Sequence, residues 1–190
     1  SSESPIELGV QRTLDLQTTL KTIERFKEKG RCLHFDAGVR CNSPINAHSI
    51  QRKGLLSLIQ EEGHVYCPSF TYSSKKLNRD IVRYEKKGIK KVSTFLGFCS
   101  IHDKELFHPI DDSFLIPTDE QVVLYSYRSL CREYFVKENA INSYAKLIEF
   151  EKLNTAIIDM MKNMKAGFEL GFRDLSYHKN KYDEMLKSKN

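Results

Sequence analysis

The residues with the most chemistry to offer in this 190-residue chain are five cysteines and six histidines. Ten of these eleven fall between positions 32 and 131, and His34, His64 and His102 each lie within three residues of a cysteine. Five thiols are an odd number and too sparse for a disulfide-stapled fold. Mixed with histidines, they favour reduced thiols and a metal site in an intracellular protein. Zinc takes four nitrogen or sulfur donors in a tetrahedron, and a two-residue gap in a turn brings two side chains to one ion. Two segments offer such donors. Cys32 and Cys41 enclose a loop containing Asp-Ala-Gly-Val-Arg, and Cys99-Ser-Ile-His102 is a C-x2-H step at a turn into a helix. The expected ligand set is Cys32, Cys41, Cys99 and His102, with His34 as the alternative ligand from the first segment. Without an ion, Cys99 would be a small buried hydrophobe following Phe-Leu-Gly-Phe, and Cys32 and Cys41 incidental loop thiols.

A second chemical candidate is His48, set between Ile45 and Ile50 in a short strand-like stretch. A histidine there is either half-buried and bonded to backbone, or a base that takes a proton from water or a metal ligand. A third feature is charge. Between Arg52 and Lys91 there are ten basic residues against four acidic ones, with Tyr66, Phe70, Tyr72 and Tyr84 interleaved. Lys75, Lys76, Arg79, Arg83, Lys86, Lys87, Lys90 and Lys91 are therefore candidate contacts for nucleic acid, with rings available for stacking. The alternative is a solvated surface loop. From Asp103 to Glu120 the balance turns acidic.

The whole-chain composition bounds these readings. Hydrophobic residues make up 40% and charged residues 29%, enough apolar content for a core and too much for a disordered chain. The net charge of +5 does not by itself identify a nucleic-acid binder. No apolar run reaches the length of a membrane span, and Ser-Ser-Glu-Ser-Pro-Ile-Glu-Leu-Gly-Val is not a secretory leader. The expected location is cytoplasmic, without a membrane. There is no phosphate-binding glycine loop, dinucleotide fingerprint or Ser-His-Asp signature.

The elements that must hold these residues read as follows. Residues 13–30 have a helical apolar stripe stopped at Gly30. Residues 31–51 form a loop with a short strand at 45–50. One or two helical turns follow at 55–63, then a strand at 64–70. Residues 73–91 give no regular pattern. A strand at 92–98 leads into a short helix stopped by Pro109. Thr118 caps a helix over 119–136, with Asp119 and Glu120 in its first turn. A second long helix spans 139–165, Gly167 and Gly171 interrupt, and a third spans 172–188. The expected class is α+β, divided into an N-terminal helix (1–30), a metal-centred module (31–116) and a helical extension (117–190). The wide apolar stripes of 119–188 suit internal packing, a homodimer or a further C-terminal domain.

The order of these parts is cysteine pair, strand histidine, hairpin-like segment, then Cys-x2-His-Asp opening a helix. It resembles the HNH nuclease family over about residues 30–110. The resemblance implies a ββα-metal core braced by a structural zinc on Cys32, Cys41, Cys99 and His102. It implies His48 as the base that activates water, acting with Asp103. Asp103 and His108 would hold a catalytic Mg²⁺ or Mn²⁺. Nucleic acid would then be the partner and phosphodiester hydrolysis in DNA, or RNA, the activity. Ala47 stands where the family carries a second acidic residue or histidine. The competing expectation is a non-catalytic zinc-binding module for protein or nucleic-acid interaction.

Overall fold

The computed structural model describes residues 30–70, 82–149 and 155–188. The helix expected over 13–30 lies almost wholly outside the described residues, as do Lys75, Lys76 and Arg79. The chain is α+β, with two small antiparallel sheets and long helices. Strand β1 (Pro44–His48) is followed by a π-helical turn, Arg52–Leu56, that runs into a short helix, α1 (Ser57–Ile59). Strands β2 (His64–Phe70) and β3 (Val82–Gly88) come next, then β4 (Thr94–Cys99) and helices α2 (Ser100–Asp111), α3 (Asp119–Ile148) and α4 (Thr155–Lys187). No helix among the described residues is long and apolar enough to cross a membrane.

The sheets pair in an order that local patterning does not reveal. β1 lies antiparallel to β4, with Pro44 opposite Cys99 and His48 opposite Thr94. Everything between them, including the β2–β3 ribbon, is an insertion into that pair. In the ribbon β2 and β3 run in unbroken register from His64 opposite Gly88 to Phe70 opposite Val82. β3 falls in the stretch where no regular element was expected. Its sequence, Val-Arg-Tyr-Glu-Lys-Lys-Gly, lacks the apolar alternation of a half-buried strand. Backbone pairing with β2 holds it instead.

The described residues fall into two compact units. One holds Gly30–Phe135 together with the chain from Tyr177 onward, and the other holds Val136–Ser176. In the first, Leu33, Ala47, Phe95, Phe98, Phe107, Ile110, Leu124, Tyr127, Cys131, Phe135 and Leu186 form one buried core. Phe98 meets Phe95 and Phe107 edge to face at centroid distances of 5.9 and 5.0 Å. In the second, Tyr144 stacks on Phe168, and Leu147 and Met161 are buried.

Three expected helix boundaries change. α2 continues through Pro109 to Asp111. Proline cannot donate to the carbonyl four residues back, and the neighbouring His108 ring takes its place: Nδ1 donates to Glu105 O at 3.0 Å. α3 is unbroken from 119 to 148 instead of ending near 136, since no glycine or proline lies within it. α4 runs through Gly167 and Gly171. A Cβ on Gly171 would stand 3.1 Å from the Lys137 side chain, so the glycine leaves room for a neighbour and does not end the helix. The start of α3 is as read: Thr118 Oγ1 accepts from Gln121 N at 3.2 Å.

Phe98 is fully buried at the centre of the first unit's core. Phe98→Ala is expected to remove about 3–5 kcal/mol of stability, read as a lower urea midpoint for loss of near-UV circular dichroism.

Candidate metal centre

Cys32 is positioned by its neighbours. Arg31 N and Leu33 N donate to the carbonyls of Leu96 and Gly97 at 3.0 and 2.8 Å, which pins the segment to β4. The approach is so close that a Cβ at Gly30 would come within 2.5 Å of Leu96 Cβ. After Leu33 the chain turns back. Ala37 N donates to His34 O and Val39 N to Asp36 O, while Gly38 and Arg40 take positive φ of 94° and 54°. Arg40 then grips Glu105 of α2 through both guanidinium ends, at 3.2 and 3.1 Å. Asn42 adds a second latch: its amide donates to Ser100 Oγ at 2.6 Å and its oxygen accepts from Ser100 N at 3.1 Å. These contacts deliver Cys41 beside the start of α2.

The other two donors come from the β4–α2 junction. Cys99 is the N-cap of α2, and its sulfur accepts from His102 N at 3.5 Å. Three positions on, the buried His102 turns Nδ1 back to the same point. That nitrogen lies 3.5 Å from Cys32 Sγ, 3.4 Å from Cys41 Sγ and 3.4 Å from Cys99 Sγ. All four donor atoms fall within 4.8 Å of one another, and the group could hold a metal ion. Hydrogen bonding does not account for the arrangement, because one imidazole nitrogen carries either one proton or one lone pair. A tetrahedral ion does: zinc at ordinary bond lengths has S···N edges of about 3.5–3.6 Å.

The electrostatics suit thiolate at one position more than another. Burial works to raise the Cys99 thiol, but the backbone amides of His102 and Asn42 and the neighbouring thiols outweigh it and hold the group below its ordinary value. Burial pushes the Cys32 thiol up to about 11, so its deprotonation depends on an ion arriving. The Cys41 sulfur also accepts from Gly38 N at 3.3 Å.

The remaining expected residues fall elsewhere. His34 is outside the four-donor group. Its ring stacks face to face on His102, with centroids 4.1 Å apart, and its Nδ1 accepts from Asp36 N at 3.1 Å. Burial, with the His102 charge adding to it, lowers its pKa to about 4. His48 is half-buried at the end of β1, and its Nε2 donates to the Ile89 carbonyl at 3.1 Å. Because a carbonyl only accepts, this bond assigns the proton of the neutral ring to Nε2 and leaves the Nδ1 lone pair.

Asp103 and His108 do not converge. Five residues apart on α2, they point about 140° apart around its axis. His108 is exposed, and its Nδ1 is committed to Glu105 O. Asp103 lies on the side facing Arg128, with a buried Oδ1 that has no hydrogen-bond partner among the described residues. Burial raises its pKa to about 6, with Arg128 opposing and Asp111 adding. Lys86, Lys87, Lys90 and Lys91 are exposed on and after β3; for Arg83 only the backbone is described.

Sequence reading passed over Arg128. Its side chain is almost fully buried, pairs with both Asp111 oxygens at 2.8 and 2.6 Å, and lies 4.1 Å over the Phe107 ring. The available signal was an arginine inside the apolar stripe of Leu124, Tyr127 and Cys131.

His108→Ala is expected to cost about 0.5–1.5 kcal/mol by leaving the Glu105 carbonyl unmatched beside Pro109, with bound-metal content unchanged. Thermal melting and elemental analysis of the same preparation test both halves. No protein-family model matches the chain, and neither a curated protein nor a solved structure matches it.

Proposed function

We propose that Cys32, Cys41, Cys99 and His102 hold a structural zinc ion, and that the protein is a zinc-organised binding module for a macromolecular partner. The observation that carries this is the placement of three sulfurs 3.4–3.5 Å from His102 Nδ1. A donor set of three thiolates and one imidazole favours zinc over magnesium, calcium or manganese. Four protein donors complete a tetrahedron and leave no position for water, the mark of a structural rather than catalytic ion. The ion would fasten residues 32–41 to the β4–α2 junction, where Arg40–Glu105 and Asn42–Ser100 already hold the two together.

Purified protein is expected to carry one zinc per chain by elemental analysis. Cys99→Ser should lose most of the zinc and melt well below the unaltered protein, and chelation of the unaltered protein should reproduce that melting curve. Metal-free preparations with the same melting temperature would overturn the reading.

A second reading is a nuclease that hydrolyses phosphodiester bonds in DNA, or less readily RNA. His48 favours it. The Ile89 carbonyl orients the ring and leaves Nδ1 as the proton acceptor, the state a base for water needs. The divalent cation of such a reaction fits the residues poorly, because Asp103 and His108 face apart and the Arg128 cation lies beside Asp103. A plasmid-nicking assay with Mg²⁺ or Mn²⁺ decides. If this reading holds, the protein nicks and His48→Ala nicks about 10²–10⁴-fold more slowly. Equal rates remove His48 from the chemistry, and no nicking at all leaves the binding module.

A further inference from the structure

The β2–β3 ribbon sits between the two strands that carry the zinc-side architecture, yet contributes no donor to it. Its register sorts its side chains. Tyr66 is opposite Lys86 and Pro68 opposite Tyr84, so alternation places Tyr66, Tyr84 and Lys86 on one face. On the other face Val65 is buried, 7% exposed, while Lys87 and Glu85 reach solvent. The first face is open: Tyr66 is 58% and Tyr84 70% exposed. The two tyrosines are diagonal neighbours, about 7–8 Å apart by the usual strand spacing. Lys86 Nζ lies over the Tyr66 ring, 5.5 Å from its centre.

Charge reinforces the face. From Val82 to Lys91 the chain has five basic residues and one acidic residue. Lys87 falls on the Val65 side, exposed beside Glu85 at 3.9 Å. Lys90 and Lys91 follow in the turn held by Lys91 N donating to Gly88 O at 2.9 Å, and both are exposed. Exposed flat rings among lysines match a ligand with π-faces and a run of negative charge. A duplex hides its base faces, so exposed rings find nothing in it to stack on. An acidic peptide would answer the lysines but not the rings. Described residues of the face include no Leu, Ile or Met for a lipid surface.

We propose that the outward face of the β2–β3 ribbon binds single-stranded nucleic acid, with Tyr66 and Tyr84 stacking on bases and Lys86, Lys90 and Lys91 drawing in phosphates. This deepens the binding-module reading and rests on it. It is independent of whether His48 cleaves anything.

The test is fluorescence anisotropy of the full chain with a short labelled oligo(dT) across a salt series. Zinc content and circular dichroism are measured on every sample. Unaltered protein is expected to bind, and binding should weaken with salt. The Tyr66→Ala/Tyr84→Ala double variant should bind at least about tenfold more weakly, since each of the two stacked bases contributes about fivefold or more. The Tyr66→Phe/Tyr84→Phe double variant keeps both rings and should bind as the unaltered protein does. Lys86→Gln should flatten the slope of log K against log salt by about 0.7.

The proposal is overturned if zinc-loaded, folded protein fails to bind oligo(dT). It is equally overturned if the alanine pair binds normally or if the phenylalanine pair loses as much as the alanine pair. Tighter binding of a duplex of equal length, of a polyglutamate peptide or of anionic vesicles would assign the face to another partner. Zinc-free protein that melts as the loaded protein does and still binds would sink the structural-zinc reading and leave this one standing.

Discussion

Three sulfurs converge on one imidazole nitrogen, and the arrangement of the N-terminal part of the first unit depends on that convergence. A nitrogen with one lone pair cannot answer three thiols, so hydrogen bonding leaves the convergence unexplained, and the four donors could hold a metal ion. It sets severe terms for the chain. Residues 30–33 must run flush against β4, which is why a glycine stands at position 30. The return through Gly38 and Arg40 must be tight enough to bring Cys41 back to the start of the same helix. Left-handed backbone at Arg40 is costly for a non-glycine residue, and its guanidinium clasp on Glu105 holds the turn where the sulfur is needed.

The core beneath the centre is built to keep β4 and α2 in fixed relation. Phe98 on β4 and Phe107 on α2 meet edge to face. Tyr127 of α3 closes over both, and its hydroxyl donates to Asp183 at 2.7 Å while lying 3.2 Å from the Leu33 carbonyl. Lys179 completes that network at Asp183, with its ammonium over the Tyr127 ring. A buried lysine and tyrosine would each be expensive alone, but together with the half-buried aspartate they satisfy one another. The last turns of α4 are thereby tied to the residue that follows the first cysteine. Arg128 and Asp111 repeat the device against the Phe107 ring.

The ribbon inserted between β1 and β4 divides the labour. The elements around the four convergent donors are held by packing in the aromatic core. The ribbon adds little core, Val65 being its one well-buried residue among those whose side chains are described. It spends its exposed surface on tyrosines and lysines. An insertion that leaves the parent strand pair intact can carry a recognition face without disturbing the centre.

Much of the site was legible because its chemistry is local. A C-x2-H step at a helix start places both side chains on one turn, and a cysteine that caps the helix follows from the same spacing. The capped start of α3 at Thr118 was legible for the same reason. His34 illustrates the limit: two positions from Cys32, it was as good a donor by type as His102. Only the fold turned its ring flat against His102 and left its nitrogen to Asp36 N–H. The pairing of β1 with β4 joins segments about fifty residues apart, and the polar β3 is held by backbone bonds that carry no side-chain pattern. The continuity of α2 past Pro109 required a histidine ring to replace a missing donor. Residue types and short spacings determined which atoms could bind a metal. Which of them meet was decided by long-range packing, because donors from different segments share one point only after the strands, turn and helix between them have folded.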